Sequence, residues 1–142
     1  MEDTDGFRKM VEDVMGTMTR EKVTATGRIA RVIISAHSGG YRPAGFSLDR
    51  GGLSDRVTHV FLFDALYGQH EYFRDWLLRG RGTIRAAYTE HLAKEHASVA
   101  AGVVAAGSRW TMTATPVEHE QIVQTFFPEW LASLPAEWRM KQ

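Results

Sequence analysis

Ser38, Asp64, Glu90 and His119 are the residues of this chain whose types and order could do covalent chemistry. Ser38 lies in Arg31-Val32-Ile33-Ile34-Ser35-Ala36-His37-Ser38-Gly39-Gly40-Tyr41-Arg42-Pro43, an apolar run that breaks into two glycines and then a proline suited to a first helical turn. A serine on a tight strand-to-helix turn has its hydroxyl pushed to the carboxyl end of a sheet, and the backbone N–H groups that follow point at whatever it attacks. With a histidine to take its proton and a carboxylate to orient the imidazole, such a serine would perform acyl transfer. The plain alternative is an ordinary glycine-containing strand–helix connection.

Those residues matter only if the intervening elements deliver them to one edge. Apolar residues Phe7, Met10, Val11, Val14, Met15 and Met18 share one helical face, predicting a helix over Asp5–Arg20 with Asp5 as cap. The Ile29–Ser35 run, with Val32-Ile33-Ile34 at its centre, reads as a strand buried on both faces. A short helix over Tyr41–Asp49 ends at Gly51-Gly52, and a second buried strand, Val57–Phe63, stops at Asp64. Tyr72, Phe73, Trp76 and Leu77 predict a helix within Gly68–Gly80, followed by a strand over Thr83–Tyr88 with Glu90 just past its end. A helix over His91–Ala105, a strand near Arg109–Ala114 and a helix over Val117–Leu134, kinked or restarted at Pro128, complete the order. Strands alternating with helices at these lengths predict an α/β fold, a short mostly parallel sheet of about four strands flanked by helices, in one domain spanning 1–142. In such sheets functional groups gather outside the carboxyl ends of the strands, where Ser38, Asp64, Glu90 and His119 all fall.

Bulk composition narrows the classes further. The 142 residues carry 17 basic and 17 acidic side chains, and the one basic cluster, Arg79-Gly80-Arg81-Gly82 with Arg85, is too short for a nucleic-acid surface. Cysteine is absent, which excludes thiolate metal sites, disulfide scaffolds and cysteine nucleophiles. The acidic start and the lack of any apolar run near the roughly 18 residues of a membrane span predict a soluble cytoplasmic protein without membrane partners. His91 and His96, at i and i+5, would face different directions on a helix, so no metal site is expected from them. The aromatic stripes at Tyr72, Phe73, Trp76 and at Phe126, Phe127, Trp130 are expected in the core.

Ala36-His37-Ser38-Gly39-Gly40 resembles the G-x-S-x-G nucleophile elbow of the α/β hydrolases, with alanine in place of the first glycine. Thr115-Pro116-Val117-Glu118-His119-Glu120-Gln121-Ile122-Val123, leading to Phe126-Phe127-Pro128-Glu129-Trp130-Leu131, resembles the histidine loop and last helix of the same superfamily. The resemblance implies Ser38 as nucleophile, His119 as general base, Asp64 or Glu90 as the orienting acid and Gly39 N–H as an oxyanion donor. His37, Tyr41 and Arg42 would line the substrate, a small ester or amide, and the reaction would need neither cofactor nor metal. Between the acids the choice stays open: Glu90 follows the second strand after the elbow, the commoner station, and Asp64 follows the first.

The resemblance covers only the second half of that superfamily, from the elbow strand onward. One oxyanion donor of the usual pair then remains, and losing one such donor costs on the order of 100- to 1000-fold in rate. The Ile29–Ser35 strand would also present an apolar edge, which helix one, a second copy in a homodimer or a complementing chain would have to cover; the homodimer is the expected solution. The alternative to a hydrolase is a non-catalytic or remnant α/β binding or assembly module whose Ser-Gly-Gly turn binds an anion or nothing.

Overall fold

The computed structural model describes residues 2–80, 82–103, 107 and 109–136. Strands β1 (Val32–His37), β2 (Val57–Phe63), β3 (Thr83–Tyr88) and β4 (Trp110–Ala114) form a single all-parallel sheet in the order β1-β2-β3-β4. Helices α1 (Gly6–Arg20), α2 (Tyr41–Arg50), α3 (His70–Arg79), α4 (Ala93–Gly102) and α5 (Ile122–Ala132) flank it. The expected α/β architecture, with a parallel sheet of four strands, is therefore the observed one.

The period-two geometry of the strands sorts their side chains between two cores. Ile34, Ala36, Val60, Leu62, Ile84 and Ala86 face α1 to α4, where Phe7, Leu48, Phe73, Trp76, Leu77 and Val99 close over them. Phe61, Phe63 and Ala87 face the other way and meet α5 through Ile122 and Trp130. Parallel neighbours joined in chain order need a helix between each pair, and crossovers of one hand put those helices on one face. α5, which follows β4 and is no crossover, returns across the opposite face. Arg109 fastens this arrangement near the start of β4, its guanidinium donating to the carbonyls of Leu77 and Gly80 at 2.7 and 2.9 Å. Those are carbonyls at the C-terminus of α3 that lack helical partners.

Several boundaries differ from the sequence expectation for identifiable reasons. The first strand is Val32–His37 rather than Ile29–Ser35, because its pairing starts only where Val57 begins β2 and continues until His37 meets Phe63. It is also not buried on both faces: it stands at the sheet's edge, with Ile34 and Ala36 buried and Ser35 exposed. On α1, Met10 and Val14 are exposed while Phe7 and Val11 carry the contact, because a helix beside an edge strand has apolar surface to cover on only one flank. The expected helix from His91 begins instead as a 3₁₀ turn at Glu90–Leu92 before α4, and its expected end, Ala105, lies outside the described residues. Helix α5 does not restart at Pro128, which sits inside it. Pro128 and Gln124 are both exposed, so the carbonyl that loses its helical donor can be solvated. Among the described residues no helix is long and apolar enough to cross a membrane.

Candidate functional site

The parallel strands all end at one edge, and the connections leaving them build the site there. β2 ends in Asp64, whose backbone adopts a positive φ of 45° and whose N–H continues the ladder to the Ala87 carbonyl at 2.8 Å. The side chain is 3% exposed. A carboxylate so placed must be hydrogen-bonded or become costly. Oδ1 accepts the Thr89 backbone N–H at 2.9 Å and the Thr89 hydroxyl at 3.0 Å, and Oδ2 accepts Nδ1–H of His119 at 2.7 Å. Burial opposes ionisation of Asp64, but the hydrogen bonds from His119 and from the Thr89 backbone and hydroxyl outweigh it and hold the carboxyl below its ordinary value.

His119 opens a 3₁₀ turn, His119–Gln121, that leads directly into α5. The helix is anchored by aromatic packing: Trp130 stacks on Phe63 with ring centroids 5.0 Å apart and meets Phe61 edge-on at 5.5 Å, while Phe127 meets Phe63 at 6.1 Å. Those contacts fix where the start of α5, and so the imidazole, stands over the sheet end. Because a carboxylate only accepts, Nδ1 of His119 carries the proton, and in the neutral ring Nε2 keeps its lone pair.

His37 closes the third side. Its Nε2–H donates to the His119 carbonyl at 3.0 Å, and the two imidazole rings lie 4.5 Å apart with a 35° tilt. His37, expected to line the substrate, thus contacts the histidine turn itself. Ser38 comes next, at φ 52°, in a 3₁₀ turn Ser38–Gly40 that runs into α2. A non-glycine residue there stores backbone strain, a feature concentrated at functional turns. Gly40 faces Ala36 across the turn, where a Cβ would sit at ordinary contact distance, 3.6 Å from the Ala36 Cβ. Gly39 is exposed and a Cβ on it would meet nothing within 4 Å. Among the described residues the Ser38 hydroxyl makes no hydrogen bond, and it is Ser38's chain neighbour His37 that contacts His119.

The remaining expected residues divide clearly. Asp64 joins His119, whereas Glu90 is exposed and its side chain makes no hydrogen bond or ion pair among the described residues. Arg42 pairs with Glu2 at 2.9 Å, with both side chains more than half exposed, a geometry of little energetic weight. Tyr41 packs partly into the core and lies 6.0 Å from the Tyr67 ring. His91 is exposed, whereas His96 is buried flat against Tyr88 at 4.0 Å, so the two face different surroundings. No group of three or more metal-ligating side chains is assembled among the described residues.

Thr89 is the contributor that sequence reasoning passed over, and Tyr67, whose ring lies 6.0 Å from that of Tyr41, is an aromatic it did not single out. Thr89 could have been found from strand register: Phe63 pairs with Ala87, so the residue after Phe63 stands level with the end of β3, within reach of the connection that follows. Tyr67 carries no sequence signal beyond its exposed aromatic character. Compared with known proteins, the chain matches no family model, no curated protein and no solved structure.

Proposed function

We propose that this protein is a serine hydrolase of the α/β-hydrolase type, cleaving an ester or amide through an acyl-enzyme on Ser38. The observation that carries the reading is the 2.7 Å hydrogen bond from His119 Nδ1 to buried Asp64, which orients the ring and leaves its Nε2 able to accept a proton. Support comes also from the strained turn at Ser38 and from the chain order serine, acid, histidine.

In this reading Nε2 of His119 takes the Ser38 hydroxyl proton as Oγ attacks the substrate carbonyl carbon. The carbonyl electron pair moves onto oxygen, which accepts a hydrogen bond from Gly39 N–H. Collapse expels the alcohol or amine, which receives the proton from His119, and leaves the acyl group on Oγ. Water then repeats the sequence in reverse, releasing the acid. Asp64 keeps its charge throughout and compensates the imidazolium.

Since β1 is an edge strand, the same reading has a second copy of the chain covering it in an isologous homodimer, because an exposed parallel edge invites pairing. Sedimentation of the purified chain as a monomer at micromolar concentration would remove that part of the reading.

A fluorophosphonate probe tests the chemistry. Stoichiometric labelling that disappears in Ser38→Ala and falls steeply in His119→Ala is expected. Absence of labelling at any protein concentration would overturn the hydrolase and favour the non-catalytic module, a reading to which the lack of a direct Ser38–His119 hydrogen bond lends weight.

A further inference from the structure

Three aromatic rings from three separate connections stand in a row at the same sheet end as Ser38. Tyr41, in the first turn of α2, sends its backbone N–H to the Ser38 carbonyl. Its ring centroid lies 6.0 Å from that of Tyr67, in the connection after β2, and Tyr67 lies 6.1 Å from His91, in the connection after β3. Tyr67 follows a stretch from Val60 to Leu66 in which no residue exceeds 2% exposure, yet Tyr67 itself is 40% exposed. A single exposed tyrosine needs no explanation, but a continuous row beside a candidate nucleophile is a surface with one chemical character. Gly68, next to Tyr67, lies against the Tyr41 ring, where a Cβ would make ordinary contact with Cε2 at 3.4 Å. Tyr67 and His91 belong to neither core, whereas Tyr41 packs partly against the first.

From this row we infer that the site takes substrates carrying a planar aromatic group beside the scissile bond, with Tyr67 as the central stacking surface and Tyr41 and His91 on either side. The inference rests on the hydrolase reading and supplies its substrate class. Aromatic rings favour offset or edge-on contact with other rings at these separations, a preference an alkyl group of equal size does not share. Tyr41 is three residues from Ser38, its backbone N–H bonded to the Ser38 carbonyl, so one end of the row belongs to the same turn as the candidate nucleophile. The ring faces supply the apolar stacking surface, and the two phenolic hydroxyls and the imidazole nitrogens add hydrogen-bonding groups at its edges.

Two phosphonofluoridates identical except for a phenyl or a cyclohexyl group on phosphorus test it by their second-order rates of labelling. The phenyl probe is expected to react about 5- to 10-fold faster with the wild-type chain. In Tyr67→Ala that ratio should fall to near one, and Tyr67→Phe should restore it, since a structural defect would slow both probes alike. Equal rates for the two probes on the wild type would overturn the aromatic specificity while leaving the hydrolase reading intact. Failure of both probes to label would overturn the hydrolase reading and the specificity built on it.

Discussion

Nδ1 of His119 and Oδ2 of Asp64 meet at 2.7 Å across 55 positions of sequence, and the carboxylate is simultaneously held by the Thr89 backbone N–H and hydroxyl. The acid is thereby rigid before any substrate arrives. Asp64→Asn offers an amide N–H or carbonyl in place of an acceptor-only group, so the imidazole can adopt the tautomer with its proton on Nε2. Under the proposed mechanism kcat should fall on the order of 10⁴-fold with KM little altered, measured on any ester the wild type cleaves.

The same carboxyl sets an acid limit on stability. Its folded value lies below 3.8, so its favourable contribution is complete above the unfolded value and is lost as pH falls through the folded one. Thr89→Val removes the hydroxyl donor and retains the backbone donor, and should cost about 1–2 kcal/mol at pH 7. That difference should shrink as the carboxyl protonates in both proteins. Urea melts of wild type and variant at pH 7 and in strong acid check the size and the trend; a pH-independent difference would contradict the assignment.

His37 acts on the turn that carries His119. Its Nε2–H anchors the His119 carbonyl at 3.0 Å, and its ring limits the tilt of the imidazole beside it. His37→Ala should therefore slow labelling of Ser38 by about 10-fold or more, consistent with the penalty for a misplaced catalytic group. His37→Gln, which keeps an N–H donor at similar reach, should recover much of it. Equal loss in both variants would mean that the ring contact, not the hydrogen bond, does the positioning.

Ser38 tests whether strain is stored at the turn. At φ 52° a side chain is disfavoured by about 1–2 kcal/mol relative to glycine. Ser38→Gly should raise stability by up to about 1 kcal/mol once the larger chain entropy of unfolded glycine is subtracted, while abolishing labelling. Ser38→Ala should abolish labelling without the gain. Paired denaturant curves distinguish the two.

His96 gives a second pH dependence, away from the reacting groups. It is 1% exposed, stacks on Tyr88, and has no hydrogen-bond partner at either ring nitrogen. Burial pushes its pKa down to about 4; Asp64 and Glu95 pull upward and His70 adds to the lowering. The neutral ring is therefore the native form. A depressed folded value means that the associated stability is fully present above the unfolded value near 6.5 and is lost as pH falls to about 4, roughly 3 kcal/mol in all. His96→Leu should flatten the stability profile between pH 6.5 and 4 relative to wild type, whatever its effect at pH 7. An unchanged slope in that window would show that other groups set it.

Local pattern alone was enough to order the elements. The Thr83–Tyr88 and Val57–Phe63 runs are strands end to end as read, because a short apolar run bounded by glycine or a charge leaves little room for another register. Placement at the carboxyl edge follows from the same pattern, since parallel strands joined by helices must all finish on one side. What the chain could not reveal by itself was which acid meets His119. Asp64 and Glu90 both follow strands, and only the pairing of β2 with β3, and the aromatic seating of α5 on Phe61 and Phe63, decides that the start of α5 stands over Asp64. Glu90 begins a 3₁₀ turn and is exposed. The partnership of His37 with the His119 carbonyl is likewise a product of packing, because two residues 82 positions apart leave no mark on each other's local sequence. Sequence determines which chemical groups reach the edge, through backbone periodicity; tertiary structure chooses their partners, because a hydrogen bond depends on distances of a few tenths of an ångström that only the assembled core sets.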